Sequence, residues 1–95
     1  MSKIDIDIYM NNFTGFFKKN PDQLNILIGK IEPELFFSEI KKITEKNLED
    51  DKEIAPTRTQ IIELLIKLNI NKTESELSKV VNPFIDHHMG KIFMN

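Results

Sequence analysis

The chain has 95 residues and carries a formal charge of −2 at pH 7. This length corresponds to one small domain with a modest core. The chain has no cysteine, which excludes disulfides, thiolate catalysis and cysteine-bearing zinc sites. Arg58 is its only arginine, which argues against nucleic-acid binding because base contacts rely heavily on arginine.

The sequence contains no recognisable targeting or membrane segment. Its first ten residues alternate isoleucine with charged side chains and lack the continuous apolar stretch of a secretory signal. No apolar run approaches the roughly 20 residues needed to span a bilayer. We therefore expect a cytoplasmic protein.

The first predicted helix covers about residues 7–19, beginning at Asp7. Its apolar residues recur at helical spacing along one stripe, which holds Tyr9, Met10, Phe13, Phe16 and Phe17. Ahead of it, isoleucine and aspartate alternate over residues 4–8. That alternation leaves a second interpretation open, in which these residues form a short strand.

Prolines mark the starts of the next two predicted helices. Asn20 and Pro21 stand at the N-cap and first position of a short helix that Gly29 weakens or ends. Its predicted buried side is Leu24, Leu27, Ile28 and Ile31. Pro33 begins a longer amphipathic helix over about residues 33–49. Its predicted apolar face is Phe36, Phe37, Ile40, Ile43 and Leu48, and a charged, exposed loop follows it.

The densest apolar cluster lies in a predicted helix over about residues 57–69. Thr57 and Gln60 form a capping box at its start, directly after Pro56. Its apolar positions are Ile61, Ile62, Leu64, Leu65, Ile66 and Leu68. They cover more than half of the helix circumference, which predicts a central helix wrapped by its neighbours. Glu63 and Lys67 are spaced for an (i, i+4) ion pair.

A second capping box, Thr73 with Glu76, predicts a helix that Asn82 and Pro83 interrupt. The tail, about residues 84–94, favours a β-hairpin turning near Gly90, and a further short helix from Pro83 is the alternative. Such a tail could pair with residues 4–8. The predicted fold is mostly α: residues 1–95 form a single domain, a compact four-to-five-helix orthogonal bundle around the helix at 57–69.

Ligand-type residues cluster only at Asp86, His87 and His88. Adjacent histidines point in different directions on a helix or a strand, so they chelate a metal poorly, and a surface turn is the preferred interpretation. The acidic residues over 49–53 lack the spacing of a calcium loop. We predict no catalytic residue, metal or cofactor, and hence a protein that is not an enzyme; a small metal protein using His87 or His88 is the competing hypothesis.

Four segments carry a resemblance to other proteins: NNFTGFFKKNPDQL, ELFFSEI, the Thr-x-Thr-Gln-Ile-Ile segment at residues 57–62, and the terminal GKIFMN. With these segments the chain resembles small uncharacterised proteins of tailed phages and other large DNA viruses. The resemblance implies a viral accessory or virion-associated protein, placed in the cytoplasm or within a soluble viral or phage assembly. No catalytic residue carries over from it.

Aromatic residues are crowded for a domain of this size. The stripe and its extension form the candidate interaction surface, which consists of Tyr9, Phe13, Phe16, Phe17, Phe36 and Phe37. Helical spacing is also what core residues show, so core is the competing interpretation. If the core cannot hold all of these rings, the surplus predicts a protein partner or self-association, because contiguous exposed apolar patches mark interaction sites.

A DNA-binding regulator is the alternative function. The predicted helices at about 57–68 and 73–81 are separated by a four-residue break, which is the spacing of a helix-turn-helix. However, the second helix begins with Glu74 and Glu76, whose carboxylates repel phosphate. We therefore predict a non-enzymatic protein–protein interaction or assembly module, with no membrane association and nucleic acid an improbable partner.

Overall fold

The computed structural model describes residues 3–68 and 73–84. They form five α-helices: α1 (Lys3–Lys19), α2 (Pro21–Ile28), α3 (Pro33–Glu49), α4 (Arg58–Leu68) and α5 (Glu74–Phe84). Within these two ranges there is no strand, and the prediction of a mostly helical chain is confirmed. The Cα radius of gyration is 12.6 Å, close to the roughly 12 Å expected for a folded domain of this length.

Helix α1 begins at Lys3, earlier than the predicted start at Asp7. The alternating segment at 4–8 is therefore helical, and the strand interpretation is wrong. Ile6 lies three residues before Tyr9 and seven before Phe13, so a helix places all three on one face. Ile6 is accordingly buried, whereas Ile8 is 55% exposed. The local pattern over residues 4–8 fits both a strand and a helix, and the helix is formed because it packs Ile6 against the aromatic residues of the core.

The predicted boundaries of α2 and α3 are confirmed. Each helix has its proline in the first turn, where the missing N–H has no helical partner to lose. Helix α2 ends before Gly29, whose φ of +59° is a conformation that residues with a Cβ rarely adopt. The start and end of α3 coincide with the predicted residues 33–49.

Asn20 stands at the predicted N-cap position of α2, but its side chain bonds to the preceding helix. Its side chain makes no bond to the start of α2. Instead its Nδ2 donates to the carbonyl of Phe16 at 2.9 Å, in the last turn of α1. The backbone carbonyl of Asn20 already accepts from the N–H of Gln23 at 3.1 Å. The Asn20 side chain therefore satisfies one of the carbonyls at the end of α1 that have no partner within the helix.

The capping box predicted for α4 is complete, and for α5 the bond of the threonine hydroxyl is present. The Thr57 hydroxyl accepts from the Gln60 N–H at 3.1 Å, and the Thr57 N–H donates to Gln60 Oε1 at 2.9 Å. At the start of α5, the Thr73 hydroxyl accepts from the Glu76 N–H at 3.2 Å. These bonds satisfy backbone N–H groups that have no partner within the helix.

Helix α5 runs through Asn82 and Pro83 to Phe84, so the predicted interruption at these residues is wrong. Proline removes one backbone hydrogen bond within a helix. Pro83 follows more than two turns of α5, and the bond lost there leaves those preceding turns intact. The predicted hairpin over 84–94 lies outside the described residues, apart from Phe84, which is helical.

All five helices contribute to one core. Its buried apolar residues are Ile6, Tyr9, Phe13, Phe17, Leu27, Ile28, Phe36, Ile40, Ile54, Ile61, Ile62, Leu64, Leu65, Leu77 and Val81. Helix α4 alone supplies four of these, in agreement with its dense apolar pattern. Ile66 of α4, however, stays on the surface.

The principal packing pairs are α1 with α2 and α3, α3 with α4, α4 with α5, and α5 with α2. They close a ring in which α4 lies between α3 and α5. The sequence predicted cover on two or three sides of this helix. Among the described helices two sides are covered, and the side that carries Ile66 is left open.

Neighbouring long helices run in opposite directions. Asn47 near the end of α3 bonds to Gln60 near the start of α4, and Glu39 of α3 meets Lys67 at the end of α4. The two contacts join positions about two turns apart on each helix, so α3 and α4 lie alongside each other with opposite directions. Arg58 at the start of α4 donates to Asn82 Oδ1 near the end of α5 at 3.2 Å, which sets α4 and α5 antiparallel.

A buried amide pair fixes the loop between α3 and α4. Asn47 Oδ1 accepts from Gln60 Nε2 at 2.8 Å. In return, Asn47 Nδ2 donates to Gln60 Oε1 at 3.1 Å and to the carbonyl of Ile54 at 3.4 Å. Asn47 is only 2% exposed. The pair therefore satisfies a polar side chain that would otherwise destabilise the core.

The end of α3 is closed by a Schellman motif. The Lys52 N–H donates to the carbonyl of Asn47 at 2.8 Å and the Asp51 N–H to that of Leu48 at 3.1 Å. Asp51 has a φ of +58°, the left-handed conformation that this motif requires. The predicted loop after α3 thus begins as an ordered helix terminus.

Candidate interaction surface

The structure places most of the predicted aromatic surface inside the core. Tyr9, Phe13, Phe17 and Phe36 are each at most 3% exposed. Phe13 lies at the centre, with its ring centroid 5.1 Å from Phe17, 5.8 Å from Tyr9 and 6.0 Å from Phe36. Aromatic pairs at such distances stabilise a core beyond their buried area. In this fold these four rings hold α1 against α3 and are not available to a partner.

Phe16 and Phe37 are the two predicted surface residues that remain partly accessible. Both still pack on the core, since Phe16 meets Phe17 edge-on at 5.2 Å and Phe37 meets Phe13 edge-on at 5.9 Å. They form the outer border of the aromatic cluster. The core of the five helices therefore holds four of the six aromatic rings fully and the other two in part.

Burial also determines the state of the tyrosine. Loss of water around the Tyr9 hydroxyl raises its pKa above the ordinary value. The ring therefore stays neutral in the folded protein well into the alkaline range. A neutral phenol among phenylalanines serves packing.

Among the side chains that the structure describes, the large apolar ones that are exposed are aliphatic: Ile8 on α1, Ile26 on α2, Leu35 on α3 and Ile66 on α4. Single exposed hydrophobic residues are common on monomeric proteins and by themselves indicate nothing. Ile66 differs because of its setting. It is 36% exposed and lies in a concave surface together with Ile62.

This concave surface is a groove of about 280 Å³ between α4 and α5, hereafter the α4–α5 groove. Ile62 and Ile66 form its apolar part. Its polar lining consists of Arg58, Thr59, Glu63, Glu74 and Ser78. Ile62 is itself buried, so Ile66 is the exposed apolar side chain of the groove, and polar residues surround it. Apolar surface with polar borders is the arrangement found at protein interaction sites.

The charges in the α4–α5 groove differ from those expected from the sequence. Lys67 does not pair with Glu63, because its Nζ lies 3.7 Å from Glu39 Oε2 on α3. Glu39 is the less exposed carboxylate and also receives Lys42 at 3.4 Å. Lys67 is thus drawn across to α3, and the predicted (i, i+4) pair is wrong. Glu63 remains in the groove without an ion-pair partner among the described residues.

A second concave surface, of about 420 Å³, lies between the start of α1 and the end of α3. Its apolar residues are Ile6, which is already buried, and the half-buried Leu48. Its border has two lysines and two glutamates: Lys42, Lys46, Glu45 and Glu49. This balanced border favours no charge type in a ligand.

The other residues considered in the sequence form no site here. His87 and His88 lie outside the described residues. The acidic residues over 49–53 are exposed at the end of α3. Among residues 3–68 and 73–84, no group of three or more histidine, aspartate or glutamate side chains is placed to hold a metal ion. No helix within the same ranges is long and apolar enough to cross a membrane.

Comparison of the chain with profiles of protein families, with curated proteins and with solved structures found no match. The resemblance to proteins of phages and large DNA viruses therefore rests on the sequence segments alone. Any function assigned to the chain has to be argued from its own surface.

Proposed function

We propose that this protein is a non-enzymatic protein–protein interaction or assembly module, and that it binds a protein partner through the α4–α5 groove. The observation that carries the proposal is Ile66, an exposed isoleucine beside Ile62 in a groove with polar borders. Burying such a residue at the centre of an interface removes apolar surface from water. The α4–α5 groove replaces the aromatic surface on α1 and α3 that the sequence predicted as the binding surface.

The biological setting of this proposal is a viral accessory or virion-associated role. Its support is the resemblance of four sequence segments to proteins of tailed phages and other large DNA viruses. A groove suited to a protein ligand is consistent with that role.

The experiment compares two substitutions that place a carboxylate on the surface. Ile66→Glu changes the α4–α5 groove, and Ile8→Glu changes a more exposed isoleucine on α1, which is not a principal neighbour of α4 or α5. Partners co-purified from the native source are identified by mass spectrometry, and binding is then measured with the purified partner. We expect Ile66→Glu to weaken binding about tenfold or more, as loss of a central interface residue does, and Ile8→Glu to leave it unchanged.

Circular dichroism and thermal unfolding check that both variants remain folded. Absence of any complex that depends on Ile66 would contradict the proposal. Equal loss of binding with Ile8→Glu would also contradict it, since that result places the interface elsewhere.

A DNA-binding helix-turn-helix is the second candidate, because α4 and α5 are consecutive helices that pack against each other. Against it, Glu74 and Glu76 are exposed at the start of α5, where a recognition helix would approach phosphate. A gel shift with any duplex at low ionic strength tests this candidate. A salt-sensitive shift would favour it over the interaction module, and no shift would end it.

A further inference from the structure

We propose that the partner segment that occupies the α4–α5 groove is a basic amphipathic helix, with an apolar ridge flanked by lysine or arginine. This inference deepens the proposed function and rests on it. It names the chemistry of the ligand from two features of the groove, its charge and its shape.

The charge of the groove is acidic because of how its residues are paired. Glu63 and Glu74 line it, and neither has an ion-pair or hydrogen-bond partner among the described residues. Of the lining residues that the structure describes, Arg58 is the one cation; it donates to the neutral amide of Asn82 and keeps its charge, so two carboxylates stand against one guanidinium and the lining is net acidic. Lys67, the nearest cation along α4, is held by Glu39. Two carboxylates are thus left free to receive basic groups from a ligand.

The shape of the groove fits a helix. Thr59, Ile62 and Ile66 line it at spacings of three and four residues along α4, which is a path of about 10 Å or two helical turns. Glu74 and Ser78 face them from the antiparallel α5. A helix laid between two helices places its own apolar residues at matching intervals, which is a recurring mode of peptide recognition. Its flanking basic residues would then reach Glu63 on one side and Glu74 on the other.

A second copy of the chain fits this groove less well. In a two-fold symmetric dimer the same patch faces itself, and the free carboxylates of Glu63 and Glu74 would then be brought together with those of the other copy. Like charges that meet in an interface oppose its formation. Charge complementarity therefore favours a basic segment of another protein.

The test is an NMR titration of the full chain, labelled with ¹⁵N, against two synthetic amphipathic helices. One peptide combines leucine with lysine, and its matched control combines leucine with glutamate. We expect the lysine peptide to shift amide signals of α4 and α5 around Ile62, Ile66 and Glu74, and the glutamate peptide to shift none of these. Binding of the lysine peptide should weaken as salt is added, because the ion pairs are screened.

Two double variants assign the charges. Glu63→Gln with Glu74→Gln should lower the affinity for the lysine peptide about fivefold, as expected for two partly exposed ion pairs. Glu45→Gln with Glu49→Gln makes the same change of charge at the other concave surface and should leave the affinity unchanged. Both variants keep side-chain volume, so the fold is maintained, which circular dichroism verifies.

Three results would overturn the inference: shifts confined to other surfaces, equal binding of the glutamate peptide, or unchanged affinity in the Glu63/Glu74 variant. Concentration-dependent shifts at the groove without any peptide would also overturn it, in favour of self-association. The proposed function fails separately, when no complex depends on Ile66. A natural partner that requires Ile66 but is indifferent to Glu63→Gln and Glu74→Gln would refute only the basic helix.

Discussion

Asn47 illustrates how one polar residue can organise a loop in this protein. Its amide is buried, and it bonds reciprocally with Gln60 and with the carbonyl of Ile54. The same Gln60 side chain accepts the Thr57 N–H, so the end of α3, the loop and the start of α4 share one set of bonds. The position of α4, and with it one wall of the α4–α5 groove, depends on this amide pair.

Asn47→Ala should lower the free energy of unfolding by about 1–3 kcal/mol, because it leaves buried polar groups without partners. Urea denaturation followed by circular dichroism measures the change. Asn25→Ala is the control, since Asn25 is an exposed asparagine on α2. If both substitutions had equally small effects, the amide pair would not be holding the loop.

Tyr9 links the core to pH. Its pKa is raised by burial in the folded state, while in the unfolded chain tyrosine ionises near its ordinary pKa of about 10. Above that pH the unfolded state therefore releases a proton that the folded state keeps, and stability falls as pH rises, by up to about 1.4 kcal/mol per pH unit. Below it Tyr9 contributes no pH dependence.

The measurement is the free energy of unfolding between pH 8 and about 11, compared for the wild type and Tyr9→Phe. Phenylalanine cannot ionise, so the variant should lose this part of the alkaline slope. Lysines contribute equally to both proteins and cancel in the comparison. Identical slopes would show that the Tyr9 hydroxyl is in contact with water.

At the scale of the elements, two glycines predict opposite responses to alanine. Gly15 lies within α1, and a Cβ added there meets nothing within 4 Å. Gly29 ends α2 with a φ of +59°. Gly15→Ala should raise stability by about 0.5–1 kcal/mol through helix propensity, and Gly29→Ala should lower it by roughly 1 kcal/mol or more through backbone strain.

Thermal unfolding of the two variants beside the wild type checks this pair. Each serves as the control of the other, since both add one methyl group. Stabilisation by Gly29→Ala would show that α2 does not end in the conformation described. Destabilisation by Gly15→Ala would place a neighbour against that side of α1.

Most helices could be predicted because their ends carry their own chemistry. Pro33 begins α3, Gly29 ends α2, and the Thr57 and Gln60 side chains begin α4, so these boundaries depend on a few adjacent residues. The start of α1 could not be predicted in this way. Alternating isoleucine and aspartate fit both a strand and a helix, and only the contact of Ile6 with the aromatic core separates them.

The candidate surface was harder to predict, since it depends on contacts between helices. Composition showed a surplus of aromatic rings but could not show that α1 and α3 enclose them. Spacing paired Lys67 with Glu63, whereas the fold brings Glu39 of another helix to Lys67. Because Lys67 pairs with Glu39, Glu63 has no ion-pair partner among the described residues of the α4–α5 groove. The local sequence around Glu63 and Lys67 gives no sign of this.

At the scale of the whole molecule, the aromatic cluster and the exposed aliphatic residues have separate tasks. Phe17→Asp places a carboxylate in the core, where it cannot be solvated, and should abolish cooperative folding. Leu35→Asp puts the same group on the surface of α3, where the leucine is exposed, and should leave the protein folded. If Phe17→Asp had the circular dichroism spectrum and the unfolding transition of the wild type, the aromatic stripe would lie on the surface and not in the core.

Hydrogen–deuterium exchange of the full chain, alone and bound to its identified protein partner, tests most directly whether the aromatic cluster holds the fold while the α4–α5 groove receives the partner. Amides of α1 and α3 beside the aromatic rings should be slow in both states, and added protection on binding should fall on α4 and α5. Added protection confined to α1 and α3, with α4 and α5 unchanged, would contradict this account.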